Sequence, residues 1–276
     1  GAGNVLNDLI EASVFSTVKL KEIFRQAKES LIITNAHLIN SGEYPDIETK
    51  SSDFFFMPRE DSDIAQTIAQ LCKVRLPKAY GVDPMEDIQI ITPSHKGAAG
   101  TAVMNSILQA TLNPSSKGKT QKNVRDVIFR EGDKIMQIRN NYDIEWNKSG
   151  LKGVGVFNGD IGVIRKIDTS EETVEVDFDG KSVVYDFTQL DELEHAYAIT
   201  IHKAQGSEFS VVIIPSYNYS PKLLTRNLLY TAVTRAQKMV IIVGSGNVVY
   251  GMVDNNRKAL RYTGLKGWLC KAIEEN

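Results

Sequence analysis

Between Thr200 and Glu208 the chain reads TIHKAQGSE, which places a hydroxyl, an imidazole, an ammonium, an amide and a carboxylate within nine residues around Gly206. Short apolar runs flank it, AYAI before and FSVVIIP after, so the polar stretch reads as a loop between two strands and as a ligand site rather than core. A lone His202 is more often a structural histidine and a lone Glu208 a solvated acid; their joint spacing is what argues for a site. A second group lies in LLYTAVTRAQKMVIIVG, Leu228 to Gly244, where Thr231, Thr234 and Arg235 fall late on a helical stretch that feeds a buried strand. Taken by itself, Arg235 is a cation set against the negative end of a helix dipole. A third candidate fails. SSKGKT, Ser115 to Thr120, ends like a phosphate-binding loop, but the required earlier glycine is Asn113, and the stretch follows a helix instead of a strand. Nor does any apolar run end in the paired acids that would hold Mg2+.

The elements that must position these residues follow from periodicity. Val5, Leu6, Leu9 and Ile10 recur at helical spacing, as do Leu20, Ile23 and Phe24, and Ser30 introduces a further helix ended by Gly42. Phe54 to Met57 reads as a strand, Ile64 to Cys72 as a helix, Ile88 to Thr92 as a strand and Gly97 to Leu112 as a helix, with breaks at Pro77, Gly81 and Pro84. Alternation of this kind implies a parallel sheet. Past Asn113 only short β-type runs appear, near 134–138, 161–167, 173–178 and 182–187. Asn158-Gly159 and Asp179-Gly180 punctuate them as turns needing positive φ. A small barrel satisfies that pattern. The α/β pattern resumes with a strand to Thr200, a strand at Val211 to Ile214, a helix over Leu223 to Ala236 and a strand at Met239 to Val243. A terminal helical region follows, in which Trp268 and Leu269 are expected to dock.

The net charge of −2 gives no global basic footprint, yet 117–166 holds eleven Lys/Arg against six Asp/Glu, and 168–194 ten Asp/Glu against one Lys. Solvated faces of opposite sign explain that pattern as well as a nucleic-acid surface does. Cys72 and Cys270 lack metal-ligand or disulfide-framework spacing, which points to a reducing compartment and a cytoplasmic location. No run approaches the ~18 apolar residues of a membrane span, and no metal site is expected.

TIHKAQGSEF resembles motif V of superfamily 1 DNA helicases, with the wording of the RecD-like (superfamily 1B) branch, and LLYTAVTRAQKMVIIVG resembles their motif VI. The resemblance implies a RecA-like α/β parallel-sheet domain, 2A, carrying an inserted small SH3-type β-barrel, 2B. The implied boundaries are 1–45 for the end of domain 1A and its linker helices, 46–115 and 194–276 for 2A, and 116–193 for 2B. It also implies roles. Arg235 is an arginine finger toward the γ-phosphate, and Arg25, within the motif IV-like LKEIFRQAKESLIITNAHLINSG, is a second catalytic arginine. Gln26, Gly206, Ser207 and Glu208 line the nucleotide cleft, while Thr200, His202 and Lys203 face the nucleic acid.

ITPSHKGAAGTAVMN, Ile91 to Asn105, is similar to the strand-to-helix loop that grips the DNA backbone, which makes Thr92, Ser94, Lys96 and Thr101 candidate contacts. Backbone N–H groups at the helix start would add to them, although Ser, Thr and Gly serve there as ordinary caps too. FREGDKIMQIRNNYDIEW and VFNGDIGVI match the 2B wording, with Arg139, Asn140, Asn141 and Tyr142 as strand-guiding residues, Tyr142 being equally readable as packing. GAGNVLNDLI is similar to sequence just after motif III, so motifs I, Ia, II and most of III are expected before Gly1. The intact protein is then a 5′-3′ DNA helicase using ATP and Mg2+. The chain alone is expected to bind no cofactor tightly and to be inactive as an ATPase. Its partners are single-stranded DNA, the missing N-terminal RecA-like domain and, in one branch of the family, RecB- and RecC-like subunits. The competing reading is a non-catalytic nucleic-acid-binding or protein-interaction module.

Overall fold

Helical and strand segments alternate at both ends of the chain and give way to strands in its middle, and the structure, a computed structural model, follows that division. It describes residues 5–18, 30–49, 53–257 and 264–274. Helices α1 (Val5–Ala12) and α2 (Leu31–Ser41) precede β1 (Phe54–Pro58), α3 (Asp61–Gln70), α4 (Leu76–Tyr80), β2 (Ile88–Thr92) and α5 (Thr101–Leu112). Nine short strands come next: β3 (Gln121–Val124), β4 (Val127–Arg130), β5 (Lys134–Gln137), β6 (Asn141–Lys148), β7 (Leu151–Val156), β8 (Ile161–Asp168), β9 (Thr173–Phe178), β10 (Lys181–Asp186) and β11 (Leu193–His195). The chain then forms β12 (Ala198–Thr200), β13 (Phe209–Ser216), α6 (Arg226–Val233), β14 (Ala236–Gly244), α7 (Gly246–Asp254) and α8 (Leu265–Glu274).

Helix α2 shows the local chemistry the sequence announces. Ser30 caps it by accepting from the Ile33 N–H, and Gly42 closes it at φ 89, with the Gly42 and Glu43 N–H groups returning to the Ile39 and Leu38 carbonyls. At Pro77 the expected break is absent. Leu71–Arg75 forms a widened π-type turn in which the Leu76 N–H reaches the Leu71 carbonyl five residues back. That shift makes room for the proline ring, and the helix runs on to Tyr80 before Gly81 ends it at φ 68.

Five parallel strands in the order β1-β14-β13-β2-β12 form the main sheet. Alternate residues feed two cores. Val212, Ile214, Val240 and Ile242 face α2, α6 and α7, while Val211, Ile213, Met239 and Ile241 face α3, α4 and α5. Burial on both faces is why these strands read as unbroken apolar runs. The second sheet is antiparallel, with seven strands in the order β11-β5-β8-β9-β10-β6-β7. Every one of them contributes to a single buried cluster, from Ile135 and Ile144 to Val176, Tyr185 and Leu193. A flat sheet of that width encloses nothing, so this one curls around its contents as an SH3-like barrel does.

Asp179 and Gly180 both take positive φ, 52 and 80, and close the β9–β10 hairpin. At the other expected turn only Gly159 does, at φ 104, and the segment joins β7 to β8, which are not paired. Periodicity gives no sign of the β3–β4 hairpin, which has Arg125 at φ 55 in its tip. Trp268 does not dock: α8 lies beside α1 with Lys266 on Glu11 at 3.2 Å, and the indole is 76% exposed. Among the described residues no helix is long and apolar enough to cross a membrane.

Candidate functional site

The segment Ile201–Glu208 crosses from the C-terminal ends of the parallel strands, the upper edge, to their N-terminal ends, the lower edge. Thr200 ends β12 level with Thr92, the last residue of β2. Phe209 begins β13 level with Ala236, two residues ahead of the Val211–Ile88 pair that marks the start of β2. The loop therefore descends the length of a strand, about 15 Å for five residues. Backbone bonds from Ile201 to Thr92, Ala204 to Thr200 and Ser207 to Ala204 hold it in tight turns, and Ile201 and Ala204 are buried in the core. His202, Gln205, Gly206 and Glu208 remain exposed on the outside of the loop.

At the lower edge the loop meets Arg235. This residue stands two places past the end of α6, at the joint with β14, rather than late within the helix. Its Nη1 donates to the Ser207 carbonyl at 3.1 Å and its Nε to the Thr231 carbonyl at 3.3 Å, leaving the guanidinium half-buried. Gln237 donates to Glu208 at 3.1 Å beside it. So Gly206, Ser207, Glu208 and Arg235 form one group, to which sequence spacing did not assign Gln237. Arg25 and Gln26 lie outside the described residues. The SSKGKT stretch supplies no phosphate cradle: it leads into β3, and the Lys119 ammonium is bonded to the Asn113 side-chain oxygen. Among the described residues no cluster of His, Cys, Asp or Glu could hold a metal ion.

At the upper edge the structure corrects several expectations. Thr92 is buried and donates to the Ala99 carbonyl at 3.0 Å, and buried Ser94 donates to the Lys96 carbonyl, so neither hydroxyl is offered to a ligand. Tyr217, with no exposed surface, donates to the same Lys96 carbonyl at 3.2 Å and stands against both hydroxyls. Burial is the main reason its phenol is held above its ordinary pKa. The Thr101 and Ala102 N–H groups at the start of α5 bond the Ser94 and His95 carbonyls and are not free for phosphate. A Cβ on Gly100 would stand 2.5 Å from the Lys96 carbonyl oxygen, so the turn closes only around glycine. Thr101 is buried and its hydroxyl meets His95 Nδ1 at 2.7 Å. What the loop presents outward is His95 and Lys96.

Between this edge and the barrel lies a cleft of about 730 Å³ lined by His95, Thr101, Thr200 and Lys203 on one side, and by Asp126, Val127 and Ile128 of the β3–β4 hairpin on the other. Lys203 is paired with Glu194 at 2.5 Å. Below the cleft the barrel is fastened to the sheet through Asp133, which has no exposed surface and accepts from Gln109, Asn113, the Arg130 N–H, His195 and Tyr197 at 2.6 to 3.0 Å. Burial pushes its carboxyl up, but the bonds and charge of His195 and the bonds from Asn113 and Tyr197 outweigh it and hold the pKa below the ordinary value. Lys134 beside it is buried with its ammonium on the Ile88 carbonyl at 3.0 Å, and burial pulls it down to about 8. Arg139 and Asn141 are not in this cleft. Arg139 pairs with Asp191 at 3.0 Å, and Asn141 spends its amide on Glu192 and on the Asp143 and Ile144 N–H groups, shaping the strand irregularity in β6. Asn140 donates to Tyr142, which stands exposed against Phe157.

Residues 104–178 match the model of the ATP-dependent RecD-like DNA helicase SH3 domain, and residues 195–243 that of the UvrD-like helicase C-terminal domain. These matches make the chain similar to the C-terminal portion of RecD-like helicases. The ATP-dependent RecD2 DNA helicase of Deinococcus radiodurans is 33% identical over 236 residues, which cover 86% of this chain and 30% of that protein. The RecBCD enzyme subunit RecD of Mycobacterium tuberculosis is 40% identical over 116 residues, 41% of this chain and 19% of the relative. This RecD-like chain thus spans less than a third of the curated relatives it matches. Among solved structures, the Pif1 helicase from Bacteroides in complex with ADP-AlF3 and ssDNA aligns over 95% of this chain and 58% of its own, with TM-score 0.47 and 17% identity.

Proposed function

We propose that the chain is the C-terminal portion of a DNA helicase, a second RecA-like domain with an inserted barrel, and that the whole protein couples ATP hydrolysis with Mg2+ to 5′-3′ movement along single-stranded DNA. In this reading 1–45 close the first RecA-like domain, 46–115 and 194–276 form the second, and 116–193 the barrel. The observation that carries it is the path of Ile201–Glu208, one continuous turn-rich segment with Arg235 and Glu208 at its lower end and Thr200 and Lys203 beside the cleft at its upper end. Transfer of a γ-phosphoryl group develops negative charge on its equatorial oxygens. A planar guanidinium at that position stabilises the charge without reorganisation. Arg235 meets the requirement because its bonds to two backbone carbonyls orient it. The remaining wall of the nucleotide cleft, with its phosphate cradle and metal ligands, is assigned to the first RecA-like domain. Cytoplasmic location and RecB- or RecC-like partners belong to the same proposal.

The test compares the longer natural protein with its Arg235→Ala and Arg235→Lys versions in DNA-stimulated ATP hydrolysis. An arginine finger is worth about 10³-fold or more in kcat, and lysine does not replace its fork, so both substitutions are expected to abolish most turnover while DNA binding persists. Equal rates would remove Arg235 from the reaction. In the same assay the 276-residue chain alone is expected to show negligible turnover.

A further inference from the structure

The cleft between sheet and barrel has two unlike walls. On the sheet side stand His95, Thr200 and Lys203, which suit phosphates and sugars. Across from them stands the β3–β4 hairpin, whose apolar residues Val127 and Ile128 are 39% and 43% exposed. Alternation along β4 explains how it presents Ile128. Phe129 is buried in the barrel core, so Ile128 points to the opposite face. The hairpin is braced from both ends. Gln109 on α5 donates to the Ile128 carbonyl at 2.8 Å, Arg130 donates to the Asn113 carbonyl at 2.6 Å, and the Lys122 ammonium lies 4.0 Å from the Phe187 ring centroid. Apolar side chains left exposed on a braced hairpin, facing a polar wall, call for a ligand with one charged side and one flat apolar side. A single strand of nucleic acid has that character, and a duplex, with its bases stacked inside, does not.

We infer that the β3–β4 hairpin is a base-contacting clamp in which Ile128 covers the nucleobases of a single strand whose backbone runs along Thr200 and Lys203. The inference rests on the DNA-binding reading above and adds to it the side of the strand that the barrel touches. Covering about 40 Å² of apolar surface corresponds to roughly a fivefold gain in affinity.

The experiment measures binding of two fluorescent oligomers of equal length and charge to the 276-residue chain by anisotropy: one of thymidine and one of abasic tetrahydrofuran units. Ile128→Ser and Ile128→Phe are compared with the natural chain, with circular dichroism as the check on folding. The natural chain is expected to favour the thymidine oligomer by about fivefold, Ile128→Ser to bind both alike, and Ile128→Phe to keep or enlarge the preference because a ring stacks better on bases. Equal binding of both oligomers by the natural chain, or an undiminished preference in a folded Ile128→Ser, overturns the clamp while leaving DNA binding intact. Tighter binding of a blunt duplex overturns the single-strand geometry. Binding of neither oligomer overturns the clamp together with the DNA-binding reading beneath it, which sets that failure apart from the first two.

Discussion

Lys203 meets Glu194 at 2.5 Å on the rim of the cleft, with the two side chains 35% and 51% exposed. A phosphate approaching Thr200 must compete with that carboxylate for the ammonium. Glu194→Gln removes the competitor and keeps the shape, so affinity for a thymidine oligomer is expected to rise. Exposed pairs of this kind are weak, and the gain is on the order of two- to fivefold, shrinking as salt is raised. A titration of labelled oligomer at two salt concentrations measures it. Unchanged or weaker binding by Glu194→Gln would mean that Lys203 does not serve the strand, and adding Lys203→Gln should cancel the gain. At this scale residue chemistry was legible in the sequence and residue direction was not. Thr92 and Ser94 have hydroxyls suited to phosphate, but Tyr217, 125 positions from Thr92, turns them inward. Their spacing from Thr101 gives no sign of that tyrosine.

The elements divide by how much of their surface is buried. Strands β2, β13 and β14 of the main sheet bury both faces, so apolar runs announce them, and the caps of α2 announce its ends. Strand β3, with the sequence QKNV, is only half-covered and carries no such signal, which is why the hairpin that roofs the cleft escaped periodicity. The joint between barrel and sheet was equally hidden, because it is built from buried polar groups. Lys134 shows its cost. The ammonium titrates at about 8 in the fold against 10.5 for the free side chain, so below pH 8 the folded chain carries a buried charge. As pH rises from 8 toward 10.5 the folded state has lost a proton that the unfolded state still binds, and stability increases by about 3 kcal/mol across that window. Lys134→Met abolishes the rise and is more stable at pH 7, since losing one hydrogen bond to the Ile88 carbonyl costs only about 1 kcal/mol. Urea midpoints of both proteins between pH 7 and 10 give the difference curve. A natural chain no more pH-dependent than Lys134→Met would show that Lys134 is not buried as a charge.

Across the whole molecule the two candidate surfaces sit at opposite ends of the parallel strands of one sheet, and a single segment joins them. The sequence placed both sets of residues in TIHKAQGSE without revealing that the stretch runs from one end of the strands to the other, since that depends on β12 and β13 flanking β2 in parallel register. Rigidity along the segment comes from its buried inward side. Ala204 has no exposed surface and ties the middle of the loop to the core formed by α6 and β14, whereas His202 and Glu208 face outward. If strand and nucleotide communicate through this loop, loosening its middle should uncouple them without touching either end. Ala204→Gly removes the packing methyl and adds backbone freedom worth up to about 1 kcal/mol. In the longer natural protein the variant is expected to bind a thymidine oligomer as the natural protein does and to hydrolyse ATP at the same rate without DNA. Stimulation by saturating DNA should fall severalfold. Assays of binding, basal turnover and stimulated turnover on one preparation separate the three quantities. Undiminished stimulation would move the coupling path elsewhere, and a parallel loss of binding would reduce Ala204 to a structural support for the upper edge.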